Sequence, residues 1–67
     1  MTYKCNTISL HLDIVKLPRS NYAIVKSIYA NDKSKTCLEV PHIIKTNLES
    51  RAIAKDVCNQ VAMDYMG

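Results

Sequence analysis

Residues 7 to 15 alternate without a break. Ile8, Leu10, Leu12 and Ile14 fall on one side and Ser9, His11 and Asp13 on the other. A period of two is the signature of a half-buried β-strand, and it fixes which side faces a core. Lys16 to Asn21 follows with Pro18, Ser20 and Asn21, residues that together read as a turn. Tyr22 to Ala30 can be placed either way. Its Tyr, Ile and Val content suits a strand, yet Tyr22, Ile24, Val25, Ile28 and Tyr29 also share one arc of a helical wheel behind Ser20 as a cap. The strand reading is preferred because Asn31-Asp32-Lys33-Ser34 is turn material that leads into another β-rich run, Lys35 to Val40. Pro41, which has no amide proton for a central ladder, is expected to end or bend that run.

Thr46-Asn47-Leu48-Glu49 fits a capping box and predicts a helix beginning there. From that point Ile53, Ala54, Val57, Cys58, Val61 and Tyr65 recur along one face, and Gly67 stands as the stop. The expected fold is therefore α+β: a small three-stranded antiparallel sheet followed by one C-terminal helix packed on one face (βββα). The helix stripe is expected to lie on the sheet face that carries Leu10, Leu12 and Leu38.

At 67 residues the chain has room for one compact domain, expected over residues 1–67. Hydrophobic residues make up 48%, enough for a core, and the lack of Phe and Trp makes that core aliphatic. No apolar run approaches the roughly 18 residues of a membrane span, and no small-residue cleavage site follows a signal-like core, so no secretory signal is expected. Cys5, Cys37 and Cys58 form an odd set without CxxC spacing, so reduced thiols and a cytoplasmic location are expected.

Cys5, His11, Cys37, His42 and Cys58 are the soft ligands present, but none falls in the short paired spacing of a structural zinc site. A cysteine nucleophile with His11 or His42 as base is the sole catalytic arrangement worth naming. No glycine-rich loop, nucleophile elbow or carboxylate pair accompanies it. The expectation is no metal, no cofactor and no enzymatic activity.

Charge is uneven along the chain. Residues 1–45 hold seven Lys and Arg against three acidic residues, a balance of +4, whereas residues 46–67 balance to −1. The positive charge thus belongs to the sheet and its turns, where lysines can neutralise phosphates or keep edge strands from pairing with other chains. Tyr22 and Tyr29 lie seven apart, so in an unbroken strand at most one can reach an open face to stack on a base.

In layout, residues 20–66 resemble the three-stranded-sheet-plus-helix DNA-binding domains, including the arm-site-binding domain of phage tyrosine-family integrases and the plant ethylene-response-factor domain. The likeness rests on the aliphatic and aromatic strand Tyr22 to Tyr29, the polar turn Asn31 to Ser34, the lysine-led strand Lys35 to Val40, and Thr46 with Glu49 opening a helix that carries Ala52, Ala54 and Ala62. The resemblance implies that the open sheet face meets DNA, with Lys26, Lys33 and Lys35 nearest it and Arg19 on a phosphate. The strands here lack the arginines and tryptophans of those families.

Two functions are therefore expected as alternatives. One is a small phage-like or mobile-element accessory protein that binds DNA through a basic sheet face. The other is an inhibitor or adaptor that docks on a host protein, or forms a homodimer, through open sheet edges.

Overall fold

The computed structural model describes residues 1–5 and 7–66, Met66 by its backbone alone. Strands β1 (Thr2–Lys4), β2 (Ile8–Lys16), β3 (Tyr22–Ala30) and β4 (Cys37–Leu48) precede helix α1 (Arg51–Met66). The strands form one antiparallel sheet in the order β1-β2-β3-β4. The sheet thus has four strands rather than the expected three. The addition is β1, paired with β2 through Thr2↔His11, Tyr3↔Leu10 and Lys4↔Ser9. Three residues carry no readable period. Their pairing is secured by the terminal ammonium, which donates to the Leu12 carbonyl at 2.7 Å, while the Leu12 amide donates back to the Met1 carbonyl at 2.9 Å.

β2 forms where its alternation requires, and β3 is a strand. The two pair without a slip from Ile8↔Ala30 to Lys16↔Tyr22, setting Leu10 beside Ile28 and Ile14 beside Ile24. Such β-branched and aliphatic cross-strand pairs, bonded on both edges of β3, outweigh the helical arc that the same residues could have made. Between them the chain turns at Leu17 to Asn21, where the Leu17 amide donates to the Asn21 carbonyl at 2.7 Å and Ser20 takes φ 60°. The β3–β4 turn is organised by Asp32. Its carboxylate accepts from the Ser34 amide at 2.9 Å, the Lys35 amide at 3.2 Å and the Ser34 hydroxyl. These bonds, led by those from Ser34, hold the Asp32 pKa below its usual value.

β4 corrects two expectations. It begins at Cys37 and runs through Pro41 to Leu48, which an outer strand permits because a missing amide proton can be tolerated there. Its pairing with β3 shifts register four times, with one shift spanning Pro41 between Lys26↔His42 and Ile28↔Glu39. Thr46 and Leu48 therefore belong to the strand and not to a capping box. The helix is capped instead by Ser50, whose hydroxyl accepts from the Ile53 amide at 3.1 Å and whose carbonyl accepts from Ala54 at 3.0 Å. Two hydroxyl residues four apart compete for the cap, and the pairing of Leu48 with Tyr22 decides in favour of the second.

α1 covers the centre of one sheet face. Leu10, Leu12, Ile24 and Ile28 pack there against Cys58 and Ala62, and Ala54 is fully buried on the same helix face. The stripe that meets the sheet is one of small residues at i, i+4 and i+8, which lets the helix approach closely. Ile53 and Tyr65, expected in it, are about two-fifths exposed, and Leu38, expected in the core, is 57% exposed on β4. Tyr3, Ile8, Ile14, Ile44, Leu48, Val57 and Val61 ring the core half-buried. Among the described residues no helix is long and apolar enough to cross a membrane. Gly67, expected as the helix stop, lies outside the described residues.

Candidate binding face

The alternation that sends Leu10 and Leu12 under the helix sends Ser9, His11 and Asp13 to the opposite face. Register then assembles two rows across the sheet. Thr2, His11 and Ser27 form one, and Lys4, Ser9, Tyr29 and Cys37 form the other. Ser9 and Ser27 are buried between larger neighbours because their side chains are short, and they make a low floor. Around that floor the open face is hollowed into a trough of about 530 Å³, with Thr2, Lys4 and Lys35 among the residues that line it.

Two rings stand in the trough. His11 and Tyr29 meet edge to face, with centroids 5.1 Å apart and planes at 82°. His11 Nδ1 lies 3.3 Å from the Thr2 hydroxyl. The Ser9 hydroxyl donates to Asn31 Oδ1 at 3.4 Å, and Asn31 Nδ2 donates to the Cys5 carbonyl at 3.1 Å. One end of the trough is thereby tied to the turn after β3. The cations on its lining are Lys4 and Lys35, and the carboxylates are Asp13 and Asp32. The terminal ammonium lies 4.0 Å from Asp13, and Asp32 is engaged by its own turn.

The four basic residues expected at an interface are scattered. Lys33 and Lys35 stand exposed together in the β3–β4 turn, and Lys35 lines the trough. Arg19 is exposed in the β2–β3 turn at the opposite end of the sheet. Lys26 lies on the other face altogether. It sits across from Leu12, its side chain 13% exposed, with Nζ 2.7 Å from the Tyr65 hydroxyl, 4.9 Å from the centre of that ring and 3.0 Å from Glu39 Oε1. The hydrogen bond to Tyr65 is the largest influence raising the Lys26 pKa above its ordinary 10.5, with Glu39 adding to it against burial.

Lys26 is thus a clamp between the sheet and the end of α1. Lys26→Met is expected to cost about 1.5–2 kcal/mol at neutral pH, the loss of a charged hydrogen bond with a half-open partner. Because the folded-state pKa is raised, the native clamp contributes its full stability below pH 10.5 and loses it as pH rises above that value. Urea melts of the two proteins should therefore differ at neutral pH and converge at strongly alkaline pH. A constant gap across that range would show that Lys26 acts by packing alone.

Two polar residues of the trough, Thr2 and Lys4, went unforeseen, since their position depends on β1. The inward placement of Lys26 had a signal: it shares parity with Ile24 and Ile28, the apolar side of β3. Of the three thiols, Cys37 is exposed and Cys5 half-buried. Cys58 is fully buried, and burial pushes its pKa up. Among the described residues no group of three or more His, Cys, Asp or Glu side chains is gathered to hold a metal ion. No family model matches the chain, and neither does any curated protein or solved structure.

Proposed function

We propose that this chain is a small non-enzymatic nucleic-acid-binding protein whose open sheet face takes a DNA strand along the trough. The observation that carries this reading is the trough itself: a hollow crossing the strands, with two rings standing in it and hydroxyls and two lysines on its lining. Lys4, Lys33 and Lys35 supply phosphate charge. Hydroxyls of Thr2, Ser9 and Ser27 suit phosphate and sugar oxygens. His11 and Tyr29 provide ring surface for a base. A hollow surface accommodates a single strand better than a duplex, whose major groove is read by an element that protrudes.

Fluorescence anisotropy against a labelled single strand and the matching duplex tests this. Three lysines on a single strand give a log–log salt slope near −2, so affinity should fall about twentyfold between about 50 mM and about 200 mM salt. Lys33→Glu with Lys35→Glu should weaken single-strand binding at least tenfold, whereas Arg19→Glu, at the far tip, should change it much less. Absence of binding at either salt, or an unaffected double variant, would overturn the reading.

A second reading, docking onto another protein, is favoured by β4. It is the longer of the two outer strands of the sheet, and Leu38, Val40 and Ile43 are each more than half exposed along it. Strand addition to such an edge needs only main-chain bonds and pockets for alternate side chains.

A further inference from the structure

We propose that β4 pairs with β4 of a second copy of this chain, antiparallel about a two-fold axis, to give one continuous sheet of eight strands, four from each copy. This deepens the docking reading of β4 by naming its occupant, and it holds whether or not the trough binds nucleic acid.

The dimensions of the free chain are the first ground. Its accessible surface is 4743 Å² and its radius of gyration 12.5 Å. A compact monomer of 7.6 kDa is expected to expose ~4,300 Å², and 67 residues to give a radius of ~11 Å. The chain is a slab of 39 × 23 × 13 Å, one sheet backed by one helix layer. The excess is ~450 Å² per copy, or ~900 Å² for two, below the roughly 1,200 Å² of stable interfaces and in the range of weak, concentration-dependent ones.

Apolar exposure is concentrated at the edge that would be covered. Leu38 is 57% exposed, Val40 69% and Ile43 56%, while Ile44 and Leu48 of the same strand are only half-covered. β4 is a strand of 12 residues, and although Pro41 and its register shifts interrupt the edge in the middle, Leu38, Val40 and Ile43 stay exposed on either side of that break. The opposite edge is blunted by its shortness: β1 has three residues. One edge is open and the other closed to extension, so pairing stops at two copies rather than propagating as a fibre.

Charge selects a register. Pairing centred on His42 sets Glu39 of each copy opposite Lys45 of the other and Val40 opposite Ile44. The contacts of Glu39 with Lys26 and His42 both use Oε1, which leaves Oε2 for that lysine. Pro41 has no amide proton, so the ladder bonds form on either side of it. A two-fold axis normal to the sheet keeps both helices on one side and both troughs on the other.

Sedimentation of the full-length chain over about 1–100 µM, with hydrogen exchange on the β4 amides, tests the proposal. The expected result is a species of about twice 7.6 kDa whose outward β4 amides are slow to exchange. Val40→Lys with Ile43→Lys, both at exposed positions, should give a monomer with unchanged circular dichroism. Lys45→Glu should weaken the dimer about tenfold, and adding Glu39→Lys should restore it. A monomer throughout the range would overturn the proposal, as would a dimer that survives Val40→Lys with Ile43→Lys. A monomer whose β4 becomes protected only when a different protein is added would also overturn the second copy as occupant, yet would leave β4 as a docking strand.

Discussion

Leu12→Ala is expected to leave little folded protein at room temperature. Leu12 is fully buried at the centre of β2, among the largest side chains in the core with no exposed surface. Truncating such a leucine costs about 2–5 kcal/mol, the lost transfer energy plus a cavity that neighbours only partly fill. A domain of 67 residues is held by only about 3–10 kcal/mol in total. The chain has no Phe or Trp to spread that loss, and Leu10, Ile24 and Ile28 are held in place by register on both sides. Urea denaturation followed by circular dichroism should show a midpoint near zero denaturant, or no transition at all. A shift equivalent to less than about 1 kcal/mol would mean that the core can collapse around the gap, and that the helix is less firmly seated than its contacts suggest.

Ala54→Leu is expected to damage the protein by the opposite route. Ala54, Cys58 and Ala62 form the surface by which α1 meets the sheet, and Ala54 is fully buried. Helix propensity barely distinguishes alanine from leucine, so the whole effect comes from volume. Three extra carbons must either push the helix outward or force strained rotamers, at about 1–3 kcal/mol. Ala52→Leu, on the exposed side of the same turn, is the control and should change stability by less than about 0.5 kcal/mol. Equal melts for the two variants would show that the interface is loose enough to admit a leucine.

What could be read in advance follows from how local each determinant is. The strand from Ile8 to Lys16 is written in nine residues of alternation, and its two faces were legible down to His11 on the open side. The strand over Tyr22 to Ala30 was legible only through its surroundings, because β-branched residues at that spacing also make a helical arc. β1 was not legible: three residues become a strand because they pair with β2 and Met1 exchanges backbone bonds with Leu12, a contact across eleven positions. With β1 unseen, Lys4 and Thr2 could not be placed in the trough.

The far end of the sheet misled for a different reason. Thr46 and Ser50 are both competent caps, and cross-strand pairing of Leu48 chose between them. The basic balance of residues 1–45 was real but carried no direction. One lysine turns under the helix, Arg19 goes to one tip, and Lys33 and Lys35 go to the other. Parity alone would have removed Lys26 from the open face, since it lies between Ile24 and Ile28 at steps of two.

The anchoring of Met1 has a practical bearing on how the protein is handled. Its nitrogen and carbonyl exchange bonds with Leu12, and the nitrogen lies 4.0 Å from Asp13. An affinity tag fused ahead of Met1 keeps an N–H to donate to Leu12 but removes the positive charge beside Asp13 and threads extra chain past the trough. Ligand screens on such a fusion would sample a trough with one cation fewer at its Asp13 end. The purification handle belongs at the other terminus.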